Sequence, residues 1–131
     1  MPYLIDTDIL VNSIRGNERI AKRISEVGSV PKAISIVSYG ELLYGAKKSL
    51  QREKNCSIVY RIAEIFPIVG ITRATIEAFT DLKVVLDERG ERIEDFDLLI
   101  AATALSLNYT LVTNNTKHFQ RIGGLQIENW M

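Results

Sequence analysis

The stretch that decides the fold lies in the last third of the chain, where acidic residues open a long apolar run. It reads Ile93-Glu94-Asp95-Phe96-Asp97-Leu98-Leu99-Ile100-Ala101-Ala102-Thr103-Ala104-Leu105. Its alanines and leucines favour a helix, and because apolar residues lie on nearly every side of that helix, we expect it to be buried. Acids at the start of a buried helix are costly to hide unless something pairs with them. We therefore interpret Asp97 as a metal ligand toward which other acids converge.

Short apolar runs alternate with helical patterns through the rest of the chain. The runs at 3–5, 33–37, 68–71, 110–113 and 125–127 are predicted to be strands, with helices between them. This alternation favours an α/β fold with a parallel sheet. Ser38 and Glu41, three residues apart, are predicted to form a capping box at the start of the helix after the second strand. Since no linker, repeat or low-complexity segment interrupts the pattern, residues 1–131 are predicted to form one domain.

The composition argues against several classes of protein. Lys and Arg number 16, as do Asp and Glu, so bulk charge gives no case for nucleic-acid binding, although a local basic face is compatible with it. A single cysteine excludes an internal disulfide, and one cysteine with one histidine argues against structural zinc. The N-terminus lacks the basic start of a signal peptide, and no apolar run reaches the roughly 18 residues of a membrane span. We therefore expect a cytoplasmic protein with no membrane partner.

Four polar side chains are predicted to meet at one edge of the sheet. Asp6 ends the first strand, Glu41 follows the second, and Asn115 follows the fourth. Asp97 opens the helix that leads into the fourth strand, and because such a helix runs antiparallel to its strand, its start lies at the same edge. Ligands of open parallel sheets bind beyond the carboxyl ends of the strands. This edge is therefore the predicted functional site.

The chemistry of these side chains favours a divalent cation. Several acids in one cleft cannot all ionise freely unless a cation offsets their repulsion. Oxygen ligands select Mg²⁺ or Mn²⁺ over zinc. Such a pocket suits phosphodiester cleavage, because the ion polarises a phosphate oxygen and lowers the pKa of bound water.

Each of the acids also has a purely structural interpretation. Asp6 and Asp8 suit helix N-caps, and Glu41 suits the second half of its capping box. Asp95 and Asp97 suit a first helical turn, where the helix dipole favours acids. Because these two are two residues apart, they do not share a helix face, and only one is expected to point fully into the pocket.

Two polar residues after the fourth strand also have structural interpretations. Asn115 belongs to a residue type that forms turns more often than it binds ligands. His118 is predicted to be a surface residue, since no second histidine or nucleophile lies near it in the sequence.

Four stretches of the chain, in order and with compatible spacing, resemble the motifs of PIN-domain ribonucleases. They are Leu4-Ile5-Asp6-Thr7-Asp8-Ile9-Leu10-Val11, Ser35-Ile36-Val37-Ser38-Tyr39-Gly40-Glu41-Leu42-Leu43-Tyr44-Gly45, Asp95-Phe96-Asp97-Leu98-Leu99-Ile100-Ala101-Ala102-Thr103-Ala104 and Leu111-Val112-Thr113-Asn114-Asn115-Thr116-Lys117-His118-Phe119. The last, with Gly124-Leu125 and Glu128-Asn129-Trp130, is similar to the C-terminal motif of VapC toxins. The resemblance implies a PIN-like three-layer α/β/α fold with a short central parallel sheet of about 4–5 strands.

The resemblance also implies an activity and partners. It implies a Mg²⁺-dependent endoribonuclease, a hydrolase in which a metal-activated water attacks an RNA phosphodiester and leaves 5′-phosphate and 3′-hydroxyl ends. Single-stranded or loop RNA, as in a structured RNA such as tRNA, is the expected substrate, because splayed bases are more readable than duplex edges. The implied partners are a VapB-like antitoxin, whose tail fills the active-site groove, and a second copy of the chain in a homodimer.

Roles are carried over from the family by position. Asp6 and Asp97 would be the principal metal ligands, and Glu41 would complete the acidic triad directly or through water. Asn115 would position a metal-bound water and so act with the three acids in catalysis. Accessory roles fall to Asp8, Asp95 and Thr113. His118 stands where many relatives carry an acid, and no role is assigned to it.

Two other functions remain open at this point. A haloacid-dehalogenase-like phosphatase also places Asp-x-Asp after an apolar strand, and Asp6 would then be the nucleophile. Here, however, Ile9 and Leu10 replace the usual Gly and Thr or Val, and the chain is short for that fold with its cap. A non-catalytic PIN-like module would bind RNA or protein only, and the presence of Asp6, Glu41 and Asp97 together argues against it.

Overall fold

The computed structural model of the protein describes residues 2–131, in which helices and strands alternate. The elements are β1 Tyr3–Ile5, α1 Thr7–Ile14, α2 Glu18–Val27, β2 Lys32–Ser35, α3 Ile36–Lys48, α4 Arg52–Ile65, β3 Ile68–Val69, α5 Arg73–Glu88, α6 Asp95–Leu107, β4 Thr110–Val112, α7 Thr116–Phe119 and β5 Ile127–Glu128. All five predicted strands form, the first with its predicted bounds and the others shorter or shifted by a residue. Across residues 2–131, no helix is long and apolar enough to cross a membrane.

The strands form one parallel sheet with the order β3-β2-β1-β4-β5. The chain moves outward from β1 through β2 to β3 and then returns to the other side of β1 for β4. The strand order therefore reverses between β1 and β4, and this is the place where open α/β sheets bind ligands. The predicted α/β class and the parallel sheet are confirmed.

Helices cover both faces of the sheet. Successive strand residues point to opposite faces, so Tyr3 and Ile5 join a core with α1 to α4, whereas Leu4 joins a core with α5 to α7. Val112 and Leu111 divide between the same two cores on β4. The protein thus has the predicted three layers.

Helix α6 is the central buried helix of the second core. Its buried residues are Leu98, Ile100, Ala101, Ala102, Thr103 and Ala104. These surround the helix axis, as the apolar pattern predicts, while the first turn carries Asp95 and Asp97. The buried part of α6 therefore anchors an acidic first turn at the edge of the sheet.

The predicted capping box at Ser38 is wrong. Strand β2 ends at Ser35, whose extended backbone makes it the N-cap of α3, and the Ser35 hydroxyl accepts a hydrogen bond from the Ser38 amide at 3.0 Å. Because the helix begins at Ile36, Glu41 lies in its second turn. The side chain of Glu41 is therefore not needed as a cap.

Helix α7 forms where only a turn is predicted. It is a four-residue helix that begins after Asn115 and holds the buried Phe119. Four residues are barely one helical turn, so their sequence shows no periodicity that could distinguish a helix from a turn.

Candidate active site

Asp6 joins the ends of β1 and β4 at the point where the strand order reverses. Its Oδ1 accepts a hydrogen bond from the Thr7 amide, and its Oδ2 accepts one from the Thr113 hydroxyl, both at 2.8 Å. Asp6 is also the N-cap of α1, so its structural interpretation is correct as well. The side chain is only 5% exposed. The carboxylate is therefore held rigidly in a nearly dry position.

The surroundings of Asp6 disfavour its negative charge. Burial, with the nearby charge of Asp8 and a smaller contribution from Asp97, raises the pKa of Asp6 to about 7, against the hydrogen bonds from Thr113 and Thr7, which lower it. A carboxyl group with such a pKa is stabilised in its ionised form by a bound cation.

Asp8 has one oxygen with no hydrogen-bond partner in the described part of the chain. Its Oδ2 accepts a hydrogen bond from the Asn114 amide at 3.0 Å, whereas its Oδ1 is buried and unpaired. Burial raises the pKa of Asp8, and contacts with backbone amides, that of Asn114 first, lower it. A buried carboxylate oxygen without a donor is costly. The unpaired Oδ1 is thus a position at which a cation would be stabilising.

Asp97 lies within electrostatic reach of the other acids. Burial raises the pKa of this half-buried side chain, and the charges of Glu41, Asp8 and Glu94 raise it further. The first turn of α6 therefore faces the end of β1, as the antiparallel arrangement of helix and strand predicts. Glu41 and Asp97 line one cavity, and the charge of Asp97 acts on Asp6, so the three acids lie in the same region of the sheet edge.

Thr7 fixes the position of Glu41, a role that the sequence does not indicate. The Thr7 hydroxyl donates to Glu41 Oε1 at 2.7 Å and lies 2.9 Å from the buried Ser38 hydroxyl. This contact ties α1 to α3 across the site. Its only sequence signal is the place of Thr7 between Asp6 and Asp8.

Asn115 and His118 form a pair beside the acids. Asn115 Nδ2 lies 2.9 Å from His118 Nδ1. His118 is half-buried, and its interaction with Asp97 lowers the pKa of that acid. His118 is therefore part of the site rather than the surface residue that the sequence predicts.

Thr113 and Asn115 are linked by the backbone after β4. The Asn115 amide donates to the Thr113 hydroxyl at 3.0 Å, and the same hydroxyl donates to Asp6. Thr113 is completely buried. Thr113 thus holds the Asp6 carboxylate in place, and its accessory role in the reaction stays a prediction.

Asp95 is set apart from the other acids by an ion pair. Its Oδ1 lies 2.9 Å from Lys83 Nζ on α5, and both side chains are exposed. Asp95 lines a cavity of about 400 Å³ together with Glu41 and Asp97. Lys83 therefore offsets part of the charge that Asp95 brings to this cavity.

The residues present fit a hard divalent cation. Across residues 2–131, no group of three or more His, Cys, Asp or Glu side chains is arranged to hold an ion by itself. Mg²⁺ does not require such a cage, because it binds through one or two carboxylates and keeps several waters. The donors are oxygens, which suits Mg²⁺ or Mn²⁺. A cation at this place would pair with the unpaired Oδ1 of Asp8. It would also stabilise the ionised forms of Asp6 and Asp97, whose pKa values are raised.

The sequence matches the PIN domain family over residues 3–125. The ribonuclease VapC2 of Rickettsia felis is 35% identical over 134 residues, a match that covers 99% of this chain and 98% of that protein. The tRNA(fMet)-specific endonuclease VapC of Shigella flexneri is 28% identical, with 99% and 98% covered.

Solved structures agree with the sequence matches. The chain matches VapBC2 from Rickettsia felis, bound to a promoter DNA fragment, with a TM-score of 0.95 and 33% identity over 100% of both chains. It matches DNA-bound VapBC from Salmonella typhimurium with a TM-score of 0.94 and 28% identity, covering 100% of this chain and 99% of that one. The chain belongs to the PIN-domain family. The full-length relatives named here are VapC proteins, which agrees with the resemblance of its C-terminal motif.

Proposed function

We propose that the protein is a metal-dependent endoribonuclease, the VapC-like toxin of a type II toxin–antitoxin pair. The observation that carries this proposal is the acidic cluster at the sheet's reversal point, with a buried and unpaired oxygen on Asp8. The full-length similarity to named VapC ribonucleases supports the same conclusion. The activity requires Mg²⁺, with Mn²⁺ as the alternative ion.

Asp6 and Asp97 are the principal residues that would hold the ion, with Glu41 or Asp8 completing the site. A bound divalent ion neutralises phosphate charge and lowers the pKa of a water. Thr113 and Thr7 orient the two oxygens of Asp6 through their hydrogen bonds. These contacts fix the carboxylate before substrate arrives, so little reorganisation is needed during the reaction.

Asn115 is proposed to orient the attacking water. Its Nδ2 is engaged with His118 Nδ1, which leaves the amide oxygen to accept a hydrogen bond from that water. Water attacks phosphorus in line with the leaving 3′-oxygen, and the phosphorus–O3′ bond breaks. The products carry 5′-phosphate and 3′-hydroxyl ends.

The substrate is proposed to be a structured RNA, such as a tRNA, cut in an unpaired region. The Shigella flexneri relative is named as specific for tRNA(fMet), and unpaired bases are accessible to side chains in a way that duplex bases are not. Because such RNA is found in the cytoplasm, the activity is proposed to be cytoplasmic.

The partner is proposed to be a VapB-like antitoxin. The solved relatives are toxin–antitoxin complexes. A basic side chain from the antitoxin tail would be attracted to the acids that surround Asp97 and would form charge-assisted hydrogen bonds with them. In the absence of antitoxin, the toxin is proposed to form a homodimer.

The function is tested by expressing the wild type, Asp97→Asn and Asp81→Asn and sequencing the 5′ ends of cellular RNA. Wild type should arrest growth and produce cuts at defined sites. Asp97→Asn should lower cleavage by at least about 100-fold, because it removes a charge needed to hold the ion. Asp81→Asn is the matched control, since it removes an exposed carboxylate on α5 that does not line the acidic cavity.

Equal toxicity and cleavage by wild type and Asp97→Asn would contradict the mechanism. RNA binding without cleavage in Mg²⁺ would instead favour a non-catalytic PIN-like module. A phosphoryl group on Asp6 after incubation with a small phosphoester would identify the phosphatase alternative.

A further inference from the structure

An apolar cavity adjoins the acidic site. It has a volume of about 630 Å³ and is lined by Ile36, Val37, Gly40, Glu41, Tyr44 and Phe96. The acidic cavity of about 400 Å³ beside it is lined by Glu41, Glu94, Asp95, Phe96 and Asp97. Glu41 and Phe96 line both cavities, so the two are adjacent.

The walls of the apolar cavity carry two exposed aromatic rings. Tyr44 is 64% exposed and Phe96 is 60% exposed. Tyr44 lies one helical turn beyond Glu41 on α3, and Phe96 immediately precedes Asp97 on α6. Each ring is therefore mounted on the same helix as an acid of the site. Exposed apolar side chains that line one cavity beside polar groups favour a binding site there.

A positive charge lies beside the same patch. Lys48 Nζ is 5.2 Å from the centroid of the Tyr44 ring, and with Lys47 it makes the last turn of α3 basic. Aromatic faces next to a positive charge that follows the backbone are how proteins bind single-stranded nucleic acid. The combination therefore fits an unpaired nucleotide.

Gly40 lines the apolar cavity and presents no side chain to it. A Cβ built on Gly40 meets no heavy atom within 4 Å. Glycine in a helix interior costs up to about 1 kcal/mol relative to alanine, and neither close packing nor a positive φ requires it here. A larger side chain at this position would therefore enter open space at the wall of the cavity.

We propose that this cavity binds the unpaired nucleobase next to the scissile phosphate, held against Phe96 and Tyr44, and thereby restricts cleavage to unpaired RNA. The inference rests on the proposed ribonuclease function and adds the feature of the substrate that is recognised. A phosphate held at the acidic cavity leaves its neighbouring base at the shared wall of Glu41 and Phe96. In a duplex that base is stacked and paired, so it cannot enter.

The first test compares kcat/KM for cleavage of an oligoribonucleotide that spans the mapped cut site. Phe96→Ala should lower kcat/KM roughly 10- to 100-fold, the range expected for loss of one stacked base. Phe96→Trp should keep kcat/KM near the wild-type value, because it retains an aromatic face. Tyr60→Ala is the matched control, because Tyr60 is an exposed aromatic that lines a different cavity on α4. Unchanged kcat/KM for Phe96→Ala would overturn the inference.

The second test fills the cavity without removing a contact. Gly40→Leu should keep or raise the melting temperature, since the position is helical and uncrowded. It should nevertheless lower kcat/KM for the oligoribonucleotide at least about 10-fold, because the side chain takes the place of the base. Full activity in a folded Gly40→Leu protein would contradict the proposal.

The third test removes the base instead of the side chain. An abasic nucleotide beside the cut site should lower cleavage by wild type as much as Phe96→Ala does, with no further loss when both changes are combined. Independent, additive losses would show that the ring does not contact that base.

Two other results would separate this inference from its alternatives. If light scattering shows that Phe96→Ala turns a dimer into a monomer as activity falls, a second copy of the chain covers the cavity and the nucleobase proposal is wrong. If the wild type cleaves no RNA in Mg²⁺, the ribonuclease function itself has failed. Cleavage by wild type with full activity in Phe96→Ala overturns only the nucleobase site.

Discussion

Single residues in this site have structural and functional roles together. Asp6 caps α1 by accepting a hydrogen bond from the Thr7 amide. It also accepts a hydrogen bond from the Thr113 hydroxyl at the point where the strand order reverses. The two interpretations of Asp6 from the sequence, as a helix N-cap and as a metal ligand, are therefore compatible. The cost of this arrangement is a buried carboxyl group whose ionisation is opposed by desolvation and by Asp8.

The raised pKa of Asp6 predicts how metal-free stability depends on pH. The pKa rises from its ordinary value of 3.8 to about 7 in the folded protein, so folding takes up a proton between these values. Proton uptake by Asp6 stabilises the folded state fully below the unfolded pKa. This stabilisation is lost as pH rises toward about 7, by about 1.4 kcal/mol of unfolding free energy for each pH unit. Urea unfolding in EDTA at about pH 5 and pH 8 should show this fall.

Asp6→Asn should make that pH dependence weaker, because the amide does not titrate. Asp81→Asn, an exposed position on α5, is the control and should leave the pH dependence as in wild type. An equal loss of stability with pH in wild type and Asp6→Asn would refute the assignment.

At the scale of elements, the start of α3 shows where local patterns mislead. Both Ser35 and Ser38 have the residue type of an N-cap, and the sequence favours Ser38 because Glu41 follows three residues later. In the structure, β2 pairs with β3 as far as Ser35, and the helix begins directly after it. Where a strand ends is set by its neighbour in the sheet, which the local sequence does not specify.

Replacement of Ser35 by alanine should destabilise the protein by about 1–2 kcal/mol, since it removes a buried N-cap. Ser57→Ala, at an exposed position within α4, is the matched control and should change stability by less than about 0.5 kcal/mol. Chemical denaturation of the two variants gives both values. A smaller effect for Ser35→Ala than for Ser57→Ala would show that the cap does not stabilise α3.

At the scale of the whole molecule, the C-terminal segment closes the core over the first strand. The Trp130 ring meets Tyr3 edge-on, with 5.0 Å between centroids, and its Nε1 donates to Glu128 Oε1 at 3.0 Å. Trp130 is 4% exposed. This side chain therefore covers the core and links the two ends of the described chain beside the central strands.

Trp130→Ala should therefore cost about 3–5 kcal/mol of unfolding free energy, the usual range for a buried aromatic ring. Trp130→Phe should cost less, because it keeps a ring against Tyr3 while losing the hydrogen bond to Glu128. Circular dichroism is the suitable measurement, since both variants remove the single tryptophan of the sequence and with it the usual fluorescent probe. Equal losses in both variants would mean that the hydrogen bond, rather than the ring, stabilises the core.

The sequence by itself determined the alternation of strands and helices, the burial of α6 and the edge at which Asp6, Glu41, Asp97 and Asn115 meet. These features follow from short-range periodicity and from chain direction in a parallel sheet, and both can be seen in the order of residues.

Only the tertiary structure decided how those residues are paired. It directs Asp95 to Lys83, joins Asn115 to His118, leaves Asp8 Oδ1 unpaired and places Tyr44 and Phe96 around one cavity. Most of these contacts join different elements, and all of them depend on how helices rotate and pack against the sheet. Because that packing is a property of the whole core, no local stretch of sequence specifies it.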